Sequence, residues 1–278
     1  MKSLSQHITE KLVLNSGSKV RKKPEYNYFP KTFDELKKIV KKLIKERGND
    51  ANLNDIDVSE ITDMSELFKG STFNGDISEW HVHNVENMES MFDKSKFTGE
   101  NSDLSNWDVS YVKNMESMFQ YSSFDGDISE WDVSNVINMH AMFANSKFNG
   151  DIGKWNVSNV ERMSGMFGLS IFNRDISKWN VSKVKIMTGM FIHSKFNGDI
   201  SEWNVSKVES MANMFYCSQF NRDISKWNVS NVEDMEGMFE SSEFNQDISN
   251  WNINKNCSTD IMFDNCHIKE EYKPKFTK

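Results

Sequence analysis

The chain has 278 residues, of which 37% are hydrophobic and 27% charged, and a formal net charge of -8. That balance describes a folded chain, and its charge is uneven: residues 1–50 carry 13 Lys and Arg against 6 Asp and Glu, whereas residues 51–268 carry 16 against 33. An acidic body is a poor match for nucleic acid, and three irregularly spaced cysteines (Cys217, Cys257 and Cys266) make neither a disulfide framework nor a zinc pattern.

In chain order, residues 1–30 read as a flexible basic leader. They contain no apolar run of signal-peptide length and no lipid-acceptor cysteine, and no transmembrane span follows. The expected location is cytoplasmic, or bound to a particle, unless export takes a non-standard route. Residues 31–50 predict an N-terminal capping helix. Thr32 and Glu35 form a capping box, Leu36, Ile39, Val40 and Leu43 make an apolar stripe, and Gly48 is a stop signal.

From residue 51 to 268 one phrase recurs. The tryptophans Trp80, Trp107, Trp131, Trp155, Trp179, Trp203, Trp227 and Trp251 are 24 residues apart except for one step of 27, and Ile56 holds the same register one step earlier. The result is about nine copies, a period typical of stacked repeats. In the copy "DISEWDVSNVINMHAMFANSKFNG", Ile128, Trp131, Val133 and Val136 fit a leucine-rich-repeat phrase. Trp131 and Val133 alternate as in a short strand, and Val136, Met139, Met142 and Phe143 follow at helical or 3-10 spacing. The expected fold is therefore α/β: a right-handed leucine-rich-repeat-like solenoid with a short strand and a short helix or 3-10 turn per coil. Strand stacking predicts a step of about 4.8 Å. The Trp, Met and Phe columns read as core. "FTGENSDLSNW" carries three extra residues and should bulge. The ninth copy, with Asn256 and Thr259 at apolar positions, reads as a cap, and residues 269–278 as a tail.

The polar columns carry their own expectations. Serines such as Ser146 should satisfy backbone groups after each Met-Phe stretch. The aspartates from Asp76 to Asp247 should cap turns. Ser158, Ser206 and Ser230, each three residues before a glutamate, should start helices. Outward residues on the Trp strand would line a concave face, the expected partner-binding surface. Its candidates are Glu79, His81, His83, Asp108, Glu130, Asp132, Lys154, Asn156, Lys178, Asn180, Glu202, Asn204, Lys226 and Asn228. The asparagines should form amide ladders between strands, while the varying charges offer partner specificity. His81 and His83, near Asp57 and Asp108 in neighbouring copies, have the residue types of a metal or pH-sensitive cluster, but the same positions elsewhere are mostly Asn and Ser without ligand character, so no metal is expected. No phosphate-binding glycine loop, nucleophile elbow or His-Glu-x-x-His motif occurs. The expectation is a non-enzyme without cofactor, binding a protein partner.

The phrase "FNGDISEWDVSNVINMHAMF" resembles the repeat of BspA-like leucine-rich-repeat surface proteins, a family that includes many mycoplasma lipoproteins and bacterial adhesin-like proteins. The resemblance spans roughly residues 51–268. It implies a right-handed α/β solenoid and a non-catalytic binding role of surface or host-interaction type. A structural, virion-associated protein of a bacteriophage or mobile element, carrying the same repeat, is the alternative.

Overall fold

The computed structural model describes residues 25–275. Tyr28 pairs in parallel with Ile56, and one helix follows, α1 (Phe33–Arg47). Its boundaries are set locally. The Thr32 hydroxyl accepts the Glu35 N–H, Asp34 and Glu35 lie in the first turn, Lys45 and Arg47 in the last, and Gly48 closes it at φ 91° by donating to the Ile44 carbonyl. Leu36, Val40 and Leu43 are buried in the same apolar cluster as the repeats. Arg47 holds both Asp55 carboxylate oxygens at 2.9 Å, fixing α1 over the first coil.

Beyond α1 the chain is a stack of coils joined by isolated parallel bridges, from Asp63–Asn87 through Asn138–Arg162 and Arg162–Ile186 to Asp234–Ser258. Among the described residues these coils contain neither helix nor strand, and the only other regular element is a 3-10 turn, Glu270–Tyr272. The expected α/β leucine-rich-repeat-like solenoid, with a strand and a helix in each coil, is overturned.

The hydrogen bonds explain why. In one Met-Phe stretch, the N–H groups of Met187, Gly189, Phe191 and His193 donate to the carbonyls of Ser210, Ala212, Met214 and Tyr216 in the next coil, at 2.8–2.9 Å. The intervening N–H groups of Met190, Ile192 and Ser194 turn back to Met187, Gly189 and Phe191. An α-helix would use every amide internally and leave none for a neighbour. Here alternate amides cross to the next coil and the others close β-turns. Gly189 (φ 59°) and His193 (φ 51°) are the third residues of two of these turns, where positive φ marks type II geometry. The same two left-handed positions recur from Glu66 and Gly70 to Ile261 and Asn265. Ser158, Ser206 and Ser230 consequently start no helix. Each donates its N–H to the asparagine two residues earlier, at 3.2 Å.

The coils also fan apart. On the bridge side they are drawn together by backbone bonds. The Phe143, Phe167 and Phe191 rings are spaced 5.9 and 5.8 Å, the Phe148, Phe172 and Phe196 rings 6.4 Å, and Trp107–Trp131 6.5 Å. Equivalent groups in a straight stack would be equally spaced. The gradient means that each coil is rotated relative to the last, with the smallest spacing on the bridge side. A uniform step of about 4.8 Å holds only where strands pair.

Side chains span the wider gap. In the central coils, residues from Ile128 to Asn135 and their equivalents make no backbone bond to a neighbouring coil. Instead each indole N–H donates to a carbonyl one coil back, as from Trp155 to Ile128 and Trp179 to Ile152, both at 3.0 Å. The first coil has no equivalent coil before it, and Ile56 there avoids an orphaned indole N–H. The Asn149, Asn173, Asn197 and Asn221 side-chain carbonyls each accept the N–H of the residue 24 later, at 3.0 Å.

The Trp, Met, Phe, Val and Ile columns are buried throughout, each large side chain contributing about 1.5–3 kcal/mol. Serines such as Ser146 do bridge backbone groups, donating to the Phe143 carbonyl and accepting the Phe148 N–H. Among the described residues, Asp93 Oδ1 and Ser95 Oγ are the buried side-chain oxygens without a partner. The three-residue insertion is pinned back onto the preceding coil: buried Ser102 accepts the Ile77 N–H, and Asn101 donates to the Asn74 carbonyl. Of the leader, only residues 25–30 are described. Residues 1–24 and 276–278 lie outside the described part of the chain.

Candidate functional site on the tryptophan side

Around each tryptophan the chain alternates inward and outward. Trp131 and Val133 are buried, while Asp132 between them is exposed. This alternation places Asp108, Asp132, Asn156, Asn180, Asn204 and Asn228 in one outward column, and Glu79, Glu130, Lys154, Lys178, Glu202 and Lys226 in the column just before it. These columns form one exposed face beside the buried tryptophans.

The central column caps turns. Oδ1 of Asp108, Asp132, Asn156, Asn180, Asn204 and Asn228 each accepts the N–H of the serine two residues on, at 3.0–3.2 Å. Such Asx turns fix the side chain's carbonyl end locally. The expected side-chain amide ladder does not form in this column, and in the Asn149 column the side-chain oxygens accept backbone N–H groups of the next coil. The second aspartate column behaves as expected: Ser129 and Ser177 donate their N–H to Asp127 and Asp175 at 2.9 and 2.8 Å. These bonds to the Ser129 and Ser177 backbone hold both carboxyls below their ordinary range.

The charged column pairs between coils. Lys154 Nζ lies 3.2 Å from Glu130, and Lys226 Nζ 2.5 Å from Glu202. A parallel column repeats the device, with Lys113 on Glu86 and Lys185 on Glu161. All four pairs are solvent-facing and weakly stabilising, so they set surface pattern more than stability. Among the described residues Lys178 makes no ion pair and, with Lys154, it lines a shallow cleft over Asp151, Gly153 and Asp175.

His81 and His83 are both exposed. His81 Nδ1 lies 3.2 Å from the Tyr26 hydroxyl, so it meets the segment leading into α1; His83 lies 3.3 Å from Asn84. Glu79 is half-buried, and its N–H donates to Asn54. Asp57 accepts the Ser59 N–H. Burial pushes its carboxyl up, but the Ser59 bonds with Lys31 and His81 outweigh that and leave it below the ordinary range. Among the described residues no group of three or more His, Cys, Asp or Glu is placed to hold a metal ion. Burial pushes the Cys257 thiol up to about 11, which leaves it a poor nucleophile. Reading the sequence as strand and helix missed several exposed apolar residues, among them Leu169 and Ile171.

This architecture defines a repeat protein, in which a fixed interior is stacked coil upon coil and the outer columns vary. The sequence matches the family described as "Mycoplasma protein of unknown function, DUF285" over residues 34–147, 94–194, 120–217 and 169–274, and the chain belongs to that family. No curated protein and no solved structure matches it. Among the described residues no helix is long and apolar enough to cross a membrane.

Proposed function

We propose that the chain is a non-catalytic repeat scaffold for protein–protein recognition, working through the outer columns of the tryptophan side. One observation carries this reading. The buried columns keep their residue types from coil to coil, while on the same backbone the outward column runs Glu130, Lys154, Lys178, Glu202, Lys226. Folding needs the first kind of constancy and is indifferent to the second. A rigid surface of regularly spaced, changing charge suits selection of a partner. The BspA-like wording of the repeat supports a surface- or host-directed partner. Charge reversal by Lys154→Glu, Lys178→Glu and Glu202→Lys, assayed by cross-linking and pull-down, is expected to abolish capture of the partner that the unaltered chain retains. Unchanged capture would sink the proposal, and reproducible turnover lost on His81→Ala would replace it with an enzyme.

A further inference from the structure

At the end of the Met-Phe stretch in the second to eighth coils, two outward residues flank a buried serine. In the fourth coil they are Asn145 and Lys147, and in the sixth His193 and Lys195; in the fifth they are Leu169 and Ile171, 52% and 49% exposed. Leu169 is unfavourable twice over. It holds an aliphatic side chain in water, and it does so at φ 56°, where asparagine or glycine is more at ease. Asn145 and Asn265 take that conformation in the same column. Nothing about folding asks for leucine here.

The neighbouring coil extends the apolar surface. Ile192 packs against Gly168 so closely that a Cβ on that glycine would lie 2.8 Å from its Cγ2. The Leu169 N–H donates to the Ile192 carbonyl at 2.7 Å, which sets the two residues side by side. Leu169, Ile171 and Ile192 thus form one ridge. Lys147 and Lys195 stand one coil to either side of Ile171, a step of 6.4 Å at the adjoining Phe148, Phe172 and Phe196 rings. Neither lysine belongs to an ion pair among the described residues, although four other exposed lysines pair between coils. Two free cations flanking an apolar ridge are out of character for a region with 33 acidic against 16 basic side chains.

We propose that this corner is a second docking surface, for an acidic polypeptide segment whose aliphatic side chains seat on Leu169 and Ile171 and whose flanking carboxylates meet Lys147 and Lys195. An anionic membrane would set its charge against the surrounding acidic side chains as well, whereas a short segment meets the two lysines alone. The assignment rests on the reading that the coil stack works by recognition, but it uses an edge separate from the tryptophan-side columns.

The test is selection of a randomised peptide library on the full chain, followed by titration of the selected peptides. Acidic residues flanking aliphatic ones should be enriched. Leu169→Asn with Ile171→Thr, residues that other coils use in these columns, should weaken binding at least tenfold while leaving the near-ultraviolet spectrum intact and the melting temperature unchanged or raised. Lys147→Glu with Lys195→Glu should redirect selection to basic flanks. The proposal is overturned if no acidic–aliphatic consensus emerges, if its peptides bind the Leu169/Ile171 variant unchanged, or if phosphatidylglycerol vesicles and not peptides respond to the substitutions. Peptides lost only on Lys154→Glu with Lys178→Glu would overturn this site and leave the outer face standing as the recognition surface.

Discussion

The two sides of each coil solve the same problem by different means. On the bridge side, coils are held by backbone amides, and the side chains between them are nearly free to vary: the column containing Gly168 also holds Asp93, Gln120, Ala144, Ile192 and Tyr216. On the tryptophan side backbone bonds do not cross between the central coils, so the bonding groups must be side chains, and Trp and Asn recur. The comparison teaches where repetition is compulsory. Outside the buried columns, residue type is fixed where a side chain must reach the next coil, and relaxed where the main chain does the reaching.

The contrast can be tested by breaking each side in turn. Trp179→Phe removes the bond to the Ile152 carbonyl and leaves space around a smaller ring, so equilibrium denaturation should show a loss of about 2–4 kcal/mol. Placing the repeat's own residue where no carbonyl awaits it should also harm: Ile56→Trp is expected to destabilise by about 1–3 kcal/mol through overpacking and an unpaired N–H, and a neutral or stabilising result would refute the account of the first coil. On the bridge side Gly189→Ala meets only ordinary contacts, the nearest being 3.6 Å from Ile192. It should lose about 1 kcal/mol, all from its left-handed φ. A loss as large as that of Trp179→Phe would erase the distinction between the sides.

The smallest effect concerns pH. The carboxyl of Asp175 is held down by the Ser177 N–H, so its folded value lies below its unfolded one. Its contribution is complete above the unfolded value and fades as pH falls through the folded one. Urea midpoints should therefore drop below about pH 4. Asp175→Asn keeps the accepting oxygen without the titration. It should change stability at pH 7 by less than about 0.5 kcal/mol and make the acid slope shallower. An unchanged slope would count against the turn-capping role.

Much of this was legible from residue spacing. The period, the buried columns, the caps of α1 and the turn-capping aspartates all follow from local chemistry or simple recurrence. The bridge side was not legible, because a string of β-turns places Met139, Met142 and Phe143 inward at the same intervals as a helix. The distinguishing signal was the left-handed column. It is visible where Gly165, Gly189 and Gly237 align, but masked where Glu66, Ala141 and Ile261 occupy it. Outward alternation around Trp131 was readable, and so was the sequence of charges beside it. The unequal coil spacing was not, since it comes from where backbone amides cross between coils.

The crossing amides have a further, electrical consequence. In the Met-Phe stretch four N–H groups per coil point toward the C-terminal end, against one to three pointing back from the following coil. Peptide dipoles so aligned add along the stack, as they do along a helix. The N-terminal end becomes the negative pole, where α1 brings Lys37, Lys38, Lys41, Lys42 and Lys45. The last coil becomes the positive pole, with Asp260 and Asp264 on it and Glu270 and Glu271 close behind. The stack is electrically oriented, and the helix at its negative pole carries charge of the neutralising sign, whereas at the last coil Lys255, Lys269, Lys273 and Lys275 balance the four acidic residues.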